Sequence, residues 1–527
     1  MDIKQILATA IKAAAQKAID EGTVKGGELP EVLLEVPPQK EFGDFATNFA
    51  MQSARALKCN PRMIAQAVVD NLDCAYVEKM EIAGPGFINF YLKQDWMYDM
   101  LAGIIAEGEN DGNLVSDCKE KIQLEYVSAN PTGPLHVGHG RGAAVGSALA
   151  NLMKAAGMNV SREYYINDAG NQINNLAASV NARYLEKLGQ TVEFPENGYH
   201  GYDIIETAER IVRIYGDKFL NMSEEERLQE FRTIALKEKL AALKEDLEAF
   251  NVTYDEWFSE QTLHDAKAIH SACDLLTERG YLYEQDGALW LKATEYGDDK
   301  DRVVIRDNGV PTYFAADLAY HQDKYALGYH PDQLEVLILQ MVSLYRNGEL
   351  VKMSKRTGQS VTLNELIEEV GTDAARFFFV MRSIDSQLDF DLTLATEKSN
   401  ENPVYYIQYA HARICSIMRQ LEEAGIVVMP AAEAKLNTMT EASELELIKK
   451  LGEYPEMLAG AAKERAVHRV AHYVHDLAGL FHSFYNQCRI LGVDSDLQQA
   501  RIALVKTVGH VIRHALGILG VSAPERM

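Results

Sequence analysis

Cysteine is scarce and scattered. The 527 residues include six: Cys59, Cys74, Cys118, Cys273, Cys415 and Cys488. No two form a Cys-x-x-Cys pair, so neither a disulfide framework nor a zinc knuckle is indicated. The expected compartment is the reduced cytosol. Long apolar runs are missing too, since no stretch approaches the ~18 consecutive apolar residues of a membrane span. The opening Met1-Asp2-Ile3-Lys4-Gln5 begins an amphipathic pattern and not a signal peptide. Basic residues are in deficit. Lys and Arg number 52 against 77 Asp and Glu, a formal charge of −25. Taken whole, that balance argues against a polyanionic partner. The deficit is uneven, however. From Glu401 to Met527 there are 13 basic and 14 acidic residues, with 7 of the 14 histidines. An acidic body is joined to a nearly neutral, His-rich end, so a polyanion docking at one end is not excluded. What remains is ordinary. Hydrophobic residues at 47% and charged residues at 24% exclude disordered, collagen-like and coiled-coil readings. At roughly 150 residues per domain the chain is long enough for three or four domains.

The segment 1–109 reads as a compact mixed unit. Ile6, Ala10, Ala13, Ala14 and Ala18 recur at helical spacing. Glu31 to Val36 predicts a short strand closed by Pro37-Pro38, Phe45 to Leu57 a helix, and Pro61 a second helix start. Gly84-Pro85-Gly86 is a turn before a strand over Phe87 to Leu92. After the linker Glu109-Asn110-Asp111-Gly112-Asn113 comes strand Lys121 to Ser128. Helix Gly140 to Ala156, strand Val160 to Ile166 and helix Gln172 to Leu188 follow, the signature of a parallel α/β sheet. Thr191 to Asp286 reads as mostly helical and connective. Short strands are expected at Leu289 to Ala293 and Val303 to Asp307, and a buried strand at Leu334 to Gln340. From Ala374 the pattern is helical to the end. Amphipathic runs at Val404 to Ala424, Leu445 to Leu458, Ala466 to Cys488 and Gln498 to Leu519 describe a helical bundle.

The loop Ser128-Ala129-Asn130-Pro131-Thr132-Gly133-Pro134-Leu135-His136-Val137-Gly138-His139-Gly140 leaves a parallel strand and enters a helix. Ligands of open α/β sheets bind at such strand ends, and the helix N-terminus offers free N–H groups to phosphate. His136 and His139 share a helix face and can donate to a phosphate oxygen as charge develops on it. Gly138 lets a flat group approach the backbone. The plainer alternative is a pair of solvated or metal-binding histidines. Downstream lies Lys352-Met353-Ser354-Lys355-Arg356-Thr357-Gly358, where two ammonium groups can close over a triphosphate. Alone, such a loop is an ordinary basic surface. The two motifs together are hard to attribute to accident.

This combination resembles the class I aminoacyl-tRNA synthetases. The finer matches are similar to arginyl-tRNA synthetases of bacterial type. They comprise the run Ser128 to Arg141, then Asn167-Asp168-Ala169-Gly170-Asn171-Gln172, then the lysine loop. Phe42-Gly43-Asp44-Phe45-Ala46-Thr47-Asn48 and Gly84-Pro85-Gly86-Phe87-Ile88-Asn89 resemble that family's tRNA-contacting N-terminal domain. Ala523-Pro524-Glu525-Arg526-Met527 resembles its C-terminal signature. The resemblance implies a multidomain α/β and all-α architecture. An N-terminal α+β domain would span 1–110. A Rossmann-like parallel-sheet catalytic domain with a helical insertion near 190–290 would span 111–385, and a helical anticodon-binding domain 386–527. It implies ATP-dependent activation of L-arginine to arginyl-adenylate and transfer to tRNA, with Mg²⁺ accompanying ATP, no zinc and no membrane partner. A cytoplasmic monomer is expected. Carried over residue by residue, Glu125, Ser128, Asn130, Tyr313 and Asp317 hold arginine. His136, Gly138 and His139 contact ATP, and His136, His139, Lys352 and Lys355 stabilise the reacting phosphates. Asn167, Asp168 and Gln172 either line the pocket or, for Asp168, cap a helix. Tyr405, Tyr406, Tyr409, Arg413, Tyr473, Phe481, Phe484 and Tyr485 either stack on bases or fill the bundle core.

The chain departs from the family at one place. Between Lys324 and Tyr325 the family carries a further strand and helix start with a Gly-Ala-Asp-His-type segment. A lost strand and crossover amounts to roughly 20 residues, and its absence would remove a strand beside the catalytic loops. Three explanations stand at this stage: a segment omitted from the sequence in hand, an engineered deletion, or natural loss in a degenerate paralogue. A Cα separation of about 3.8 Å across the junction would sink the first. Two rival functions also stand: another nucleotidyltransferase or synthetase of different specificity, and an inactive tRNA-binding paralogue.

Overall fold

The computed structural model describes residues 3–107, 112–115, 120–351 and 360–527. The expectations placed on Lys352, Lys355 and Cys118, and on part of the linker at 109–111, lie outside the described residues.

Helix α1 (Ile3–Asp20) buries Leu7, Ile11 and Ala18 against helices α2 (Phe49–Leu57) and α3 (Pro61–Asn71). The Asn60 side chain accepts from the Arg62 N–H, and Pro61 occupies the first turn, so α3 starts where its sequence says it should. Strands β1 (Phe45–Thr47), β2 (Val77–Ala83) and β3 (Phe87–Leu92) pair antiparallel in the order β1-β3-β2. Two expectations change here. Glu31 to Val36 forms no strand; it makes a single bridge, Glu35 to Ala46. Phe45 to Leu57 is not one helix, because its first three residues pair with β3 and place Phe45 and Thr47 in the core. Helix α4 (Asp95–Glu107) then leads to the second unit.

There, β4 (Lys121–Glu125), α5 (Val137–Ala155), β5 (Asn159–Ile166), α6 (Asn171–Lys187), α7 (Tyr202–Tyr215), α8 (Glu224–Ala249) and β6 (Glu256–Ser259) follow in chain order. β4, β5 and β6 are parallel, with Glu125 opposite Glu163 and Tyr165 opposite Phe258. The region read as mostly helical thus contains a strand of the central sheet. At four residues, β6 is too short for a period-2 pattern to show. Helices α9 (Gln261–Asp265) and α10 (Ala268–Glu278), the meander β7 (Leu282–Gln285), β8 (Ala288–Leu291) and β9 (Arg302–Ile305), and helix α11 (Tyr313–Ala326) build a smaller core on Ile269, Val304, Ala315 and Ala319.

Helix α11 runs unbroken across Lys324 and Tyr325, and the Leu327 and Tyr329 N–H groups bond back to Asp323 and Lys324 carbonyls. The two residues are consecutive in one helix. The cost of the shortening lies next door. Leu334 to Gln340, expected as a buried strand, pairs with nothing as a strand. Leu334, Val336, Ile338 and Met341 are 58%, 74%, 72% and 76% exposed. β4 is left as the edge of its sheet. Strands β10 (Val342–Arg346), β11 (Glu349–Val351) and β12 (Leu388–Asp391) form a separate sheet, with β10 and β12 parallel.

Helices α12 (Leu363–Val370), α13 (Thr372–Val380) and α14 (Leu392–Thr396) join this sheet to a bundle of α15 (Pro403–Glu423), α16 (Ala442–Gly452), α17 (Tyr454–Lys463), α18 (His468–Gln487) and α19 (Ser495–Leu519). The run Leu445 to Leu458, expected as one segment, breaks into α16 and α17 around Glu453 and Pro455. α19 corrects the statement that no stretch is long and apolar enough for a membrane. By length and composition it is, but most of it is buried against its bundle neighbours. Arg376, fully buried on α13, locks the parts together. It donates to Leu519 O (3.0 Å), Phe250 O (2.8 Å) and Ser147 Oγ (2.8 Å).

Candidate active site

Helix α5 begins with a reciprocal cap made by the two histidines. His136 Nδ1 accepts from the Gly138 N–H (3.1 Å), and His139 Nδ1 accepts from the His136 N–H (3.3 Å). An imidazole nitrogen that accepts is unprotonated, so each neutral ring carries its proton on Nε2. The rings stack with centroids 3.7 Å apart, 24° from parallel. Burial lowers the pKa of His136. Burial, and then the neighbouring His136, lower that of His139 to about 4. The pair is therefore neutral at pH 7 and presents two outward Nε2–H donors. A Cβ on Gly138 would lie 3.0 Å from His136 Cε1 and 3.1 Å from Nδ1. A side chain there would press on the capping ring itself, a reason for glycine that sequence reading, which assigned it to a ligand's approach, did not supply.

The lysine loop lies outside the described residues, but its exit does not. Val361 O accepts from Val137 N (3.2 Å), Leu135 O accepts from Leu363 N (2.8 Å), and His136 bridges Thr362. The structure thus stitches the segment that follows Lys352 and Lys355 directly to the histidine loop, across more than two hundred residues of sequence. Arg141, one turn into α5 and buried, donates to Gln340 O (2.7 Å), Ser383 O (3.0 Å) and Ser386 O (3.0 Å). It fixes the second sheet against the same helix.

At the end of β4 the backbone enters the left-handed region twice, at Val127 (φ 69°) and Ser128 (φ 39°). For β-branched Val127 this is an unfavourable conformation. It folds Ser128 back over the strand, where its hydroxyl donates to Glu125 Oε1 (2.8 Å) and accepts from Tyr165 N (3.1 Å). The other carboxylate oxygen of Glu125 lies 3.0 Å from the Tyr320 hydroxyl. Asp317, on α11, has its pKa raised by burial and then by Glu260 and Glu125, with His321 opposing. Buried Glu260 accepts from Tyr165 OH (2.9 Å). Three carboxylates therefore share one cleft walled by Tyr165 and Tyr320, a setting that favours a cation. Tyr313 begins α11 one turn before Asp317 and is 67% exposed, and Asn130 is exposed on the loop. Asp168 neither caps α6, whose cap is Gly170, nor faces the cleft freely. It accepts from Ser259 Oγ (2.6 Å) and from the Gln261 N–H (2.9 Å), tying the β5 loop to the start of α9. Asn167 is half-buried and Gln172 exposed.

Sequence reasoning missed Glu260, Tyr165, Glu163, Tyr320 and Lys324. A signal for the last two was present. Tyr313, Asp317, Tyr320 and Lys324 recur at four, three and four residues, a single helix face.

In the bundle the aromatics named above divide. Tyr473, Phe481 and Phe484 are buried. Tyr409 and Tyr485 flank Arg413, whose guanidinium lies 4.6 Å from each ring centroid. They line a cavity of about 460 Å³ with Arg419, Arg526 and Met527.

Comparison with known proteins finds three family matches along the chain. Residues 2–92 match the family described as "Arginyl tRNA synthetase N terminal domain", residues 101–338 "tRNA synthetases class I (R), catalytic domain", and residues 407–527 "DALR anticodon binding domain". An arginine–tRNA ligase of Desulforamulus reducens is 51% identical over 555 aligned positions, covering 100% of this chain and 99% of the relative. The chain belongs to the arginyl-tRNA synthetase family. An arginine–tRNA ligase of Carboxydothermus hydrogenoformans is 52% identical over 94% of each chain. Among solved structures, an arginyl-tRNA synthetase described as putative from Campylobacter jejuni matches with TM-score 0.75 and 32% identity, over 83% of this chain and 100% of that one. The Thermus thermophilus arginyl-tRNA synthetase matches in fold with TM-score 0.69, 23% identity and coverage of 99% and 100%. The alignment of 555 positions exceeds the 527 residues of this chain. The excess consists of positions at which this chain has no residue, which accords with the family segment missing beside α11.

Proposed function

We propose that this protein attaches L-arginine to its tRNA through an arginyl-adenylate formed from ATP, in the cytoplasm and as a monomer. The observation that carries the reading is the histidine cap. Two neutral Nε2–H donors stand at the N-terminus of α5, beside a carboxylate cleft suited to a guanidinium. No protein nucleophile is required, because the arginine carboxylate attacks the α-phosphorus. The protein's work is positioning and charge stabilisation. ATP lies over Gly138 with its phosphates toward His136 and His139. Mg²⁺ enters with the ATP phosphates as part of that substrate. Lys352 and Lys355 draw charge from the departing pyrophosphate; the stitching of Val361 and Leu363 to the histidine loop supports this assignment. Glu125 and Asp317 hold the cationic arginine, Tyr313 covers it, and Ser128 and Asn130 shape the mouth. The N-terminal unit and the bundle grip tRNA, with Tyr409, Arg413 and Tyr485 offering a stacking surface for bases.

ATP–pyrophosphate exchange across the amino acids, with and without tRNA, tests the reading. Exchange with arginine alone, dependent on tRNA, is expected. Exchange with a different amino acid would overturn it. The exposed run at 334–341 and the edge position of β4 favour one alternative, a tRNA-binding relative that no longer activates an amino acid, and exchange with none would establish it. Lys355→Ala is expected to slow activation on the order of a hundredfold while arginine affinity changes little. Loss of arginine binding alone would contradict the phosphate role.

A further inference from the structure

Behind Glu125 lies a buried charge relay that the reaction as described leaves unused. Glu163, on β5 and fully buried, has both oxygens engaged. Oε2 accepts from Lys324 Nζ (2.7 Å) and Gln123 Nε2 (2.9 Å), and Oε1 accepts from the Tyr320 hydroxyl. An unpaired carboxylate at such a site would be strongly disfavoured, and the ammonium of Lys324, itself 7% exposed, meets that demand for a counter-charge. Glu256 on β6 adds to that demand, its own carboxyl raised by burial and by Glu163 and lowered by Lys324. The ring of Tyr320 is boxed edge-on by Tyr165 (4.9 Å) and Phe258 (5.0 Å), so its hydroxyl cannot swing away.

That hydroxyl touches two carboxylates, yet a phenol has one proton. When the O–H points at Glu163, the phenol oxygen turns a lone pair toward Glu125 Oε2, and that oxygen lacks a donor. When it points at Glu125, Oε1 of Glu163 goes without. A cation arriving at Glu125 takes the second lone pair of Oε2 while the hydroxyl stays on that oxygen, and Lys324 and Gln123 go on satisfying Glu163. Glu125 Oε1 meanwhile stays on Ser128. The carboxylate plane is thus held at both ends before substrate arrives.

We propose that Tyr320, pinned by the Glu163–Lys324 pair, is a positioning residue that presents Glu125 to the substrate's cationic group. The inference rests on the arginine-activating reading and deepens it. It places the strength of substrate recognition partly in residues one layer removed from the substrate.

The test is steady-state aminoacylation with Tyr320→Phe, Lys324→Met and Lys324→Arg, accompanied by thermal melting. Removing one hydrogen bond to a charged group is expected to raise KM for arginine about tenfold. KM for ATP and kcat should stay within about twofold. Lys324→Met should shift KM for arginine in the same direction, and Lys324→Arg should restore most of it. Tyr320→Phe with an unchanged KM for arginine, or with equal losses for arginine and ATP, overturns the inference. So does a lowered melting temperature with reduced kcat and unaltered KM, the pattern of a merely structural role. If the wild-type protein itself fails to use arginine, the reading of the reaction fails, and this inference with it.

Discussion

His139 is neutral because it is doing backbone work. Its Nδ1 closes the first turn of α5, its ring lies against that of His136, and partial burial disfavours the imidazolium. The folded chain therefore binds a proton there only near pH 4, whereas an unfolded one binds it near the ordinary 6.5. Stability from this group is complete above about pH 6.5, declines as pH falls through that interval, and falls no further below about 4. Melting curves from pH 4 to 7.5 should show this slope in the wild type and a reduced slope in His139→Asn. Gly138→Ala would push a methyl group against the capping ring. Exchange should fall about tenfold with little change in melting temperature. An equal loss of both would mean that the glycine serves only the fold. The motifs stood out in the sequence because the histidine and lysine loops occur together in one chain. Their geometry did not. The cap needs two rings whose relative placement depends on rotamers, and Glu260 becomes part of the cleft only because β6 pairs beside β5.

Elements with a long period were legible in sequence, and those defined by pairing were not. α5, α6, α15, α18 and α19 lie where apolar spacing and caps place them. β1, β6 and β12 are three or four residues long. They are strands only by virtue of their neighbours, so no local pattern marks them. The run 334–340 shows the converse. Its composition is that of a buried strand, but it pairs with no strand among the described residues, and Leu334, Val336 and Ile338 lie open while Leu337 and Leu339 pack on the core. What holds this part of the molecule is Arg141. Its Nη atoms reach three carbonyls on two separate segments. Arg141→Met would leave those carbonyls without their donor, and a destabilisation of about 3 kcal/mol is expected. Denaturant titration checks it, and a value below 1 kcal/mol would mean that water or another donor replaces the guanidinium.

At the scale of the whole molecule, the charge of −25 coexists with a polyanionic partner because the imbalance is regional. On the proposed function, contact with tRNA is expected at local cations such as Arg413, Arg419 and Arg526 around the bundle cavity. The logarithm of tRNA affinity should decrease linearly with that of salt concentration, with a slope of only a few. Arg413→Ala should weaken tRNA binding without altering the KM for ATP. A filter-binding series from low to high salt measures both, and no dependence on salt would exclude phosphate contact. The exposed seam at 334–341 bears on the life of the molecule in a crowded solution. It offers a backbone with no strand partner and four open apolar side chains, the kind of edge other proteins cover or break with charge. Such a seam is a template for pairing with a second chain, so self-association at high concentration is expected to begin there.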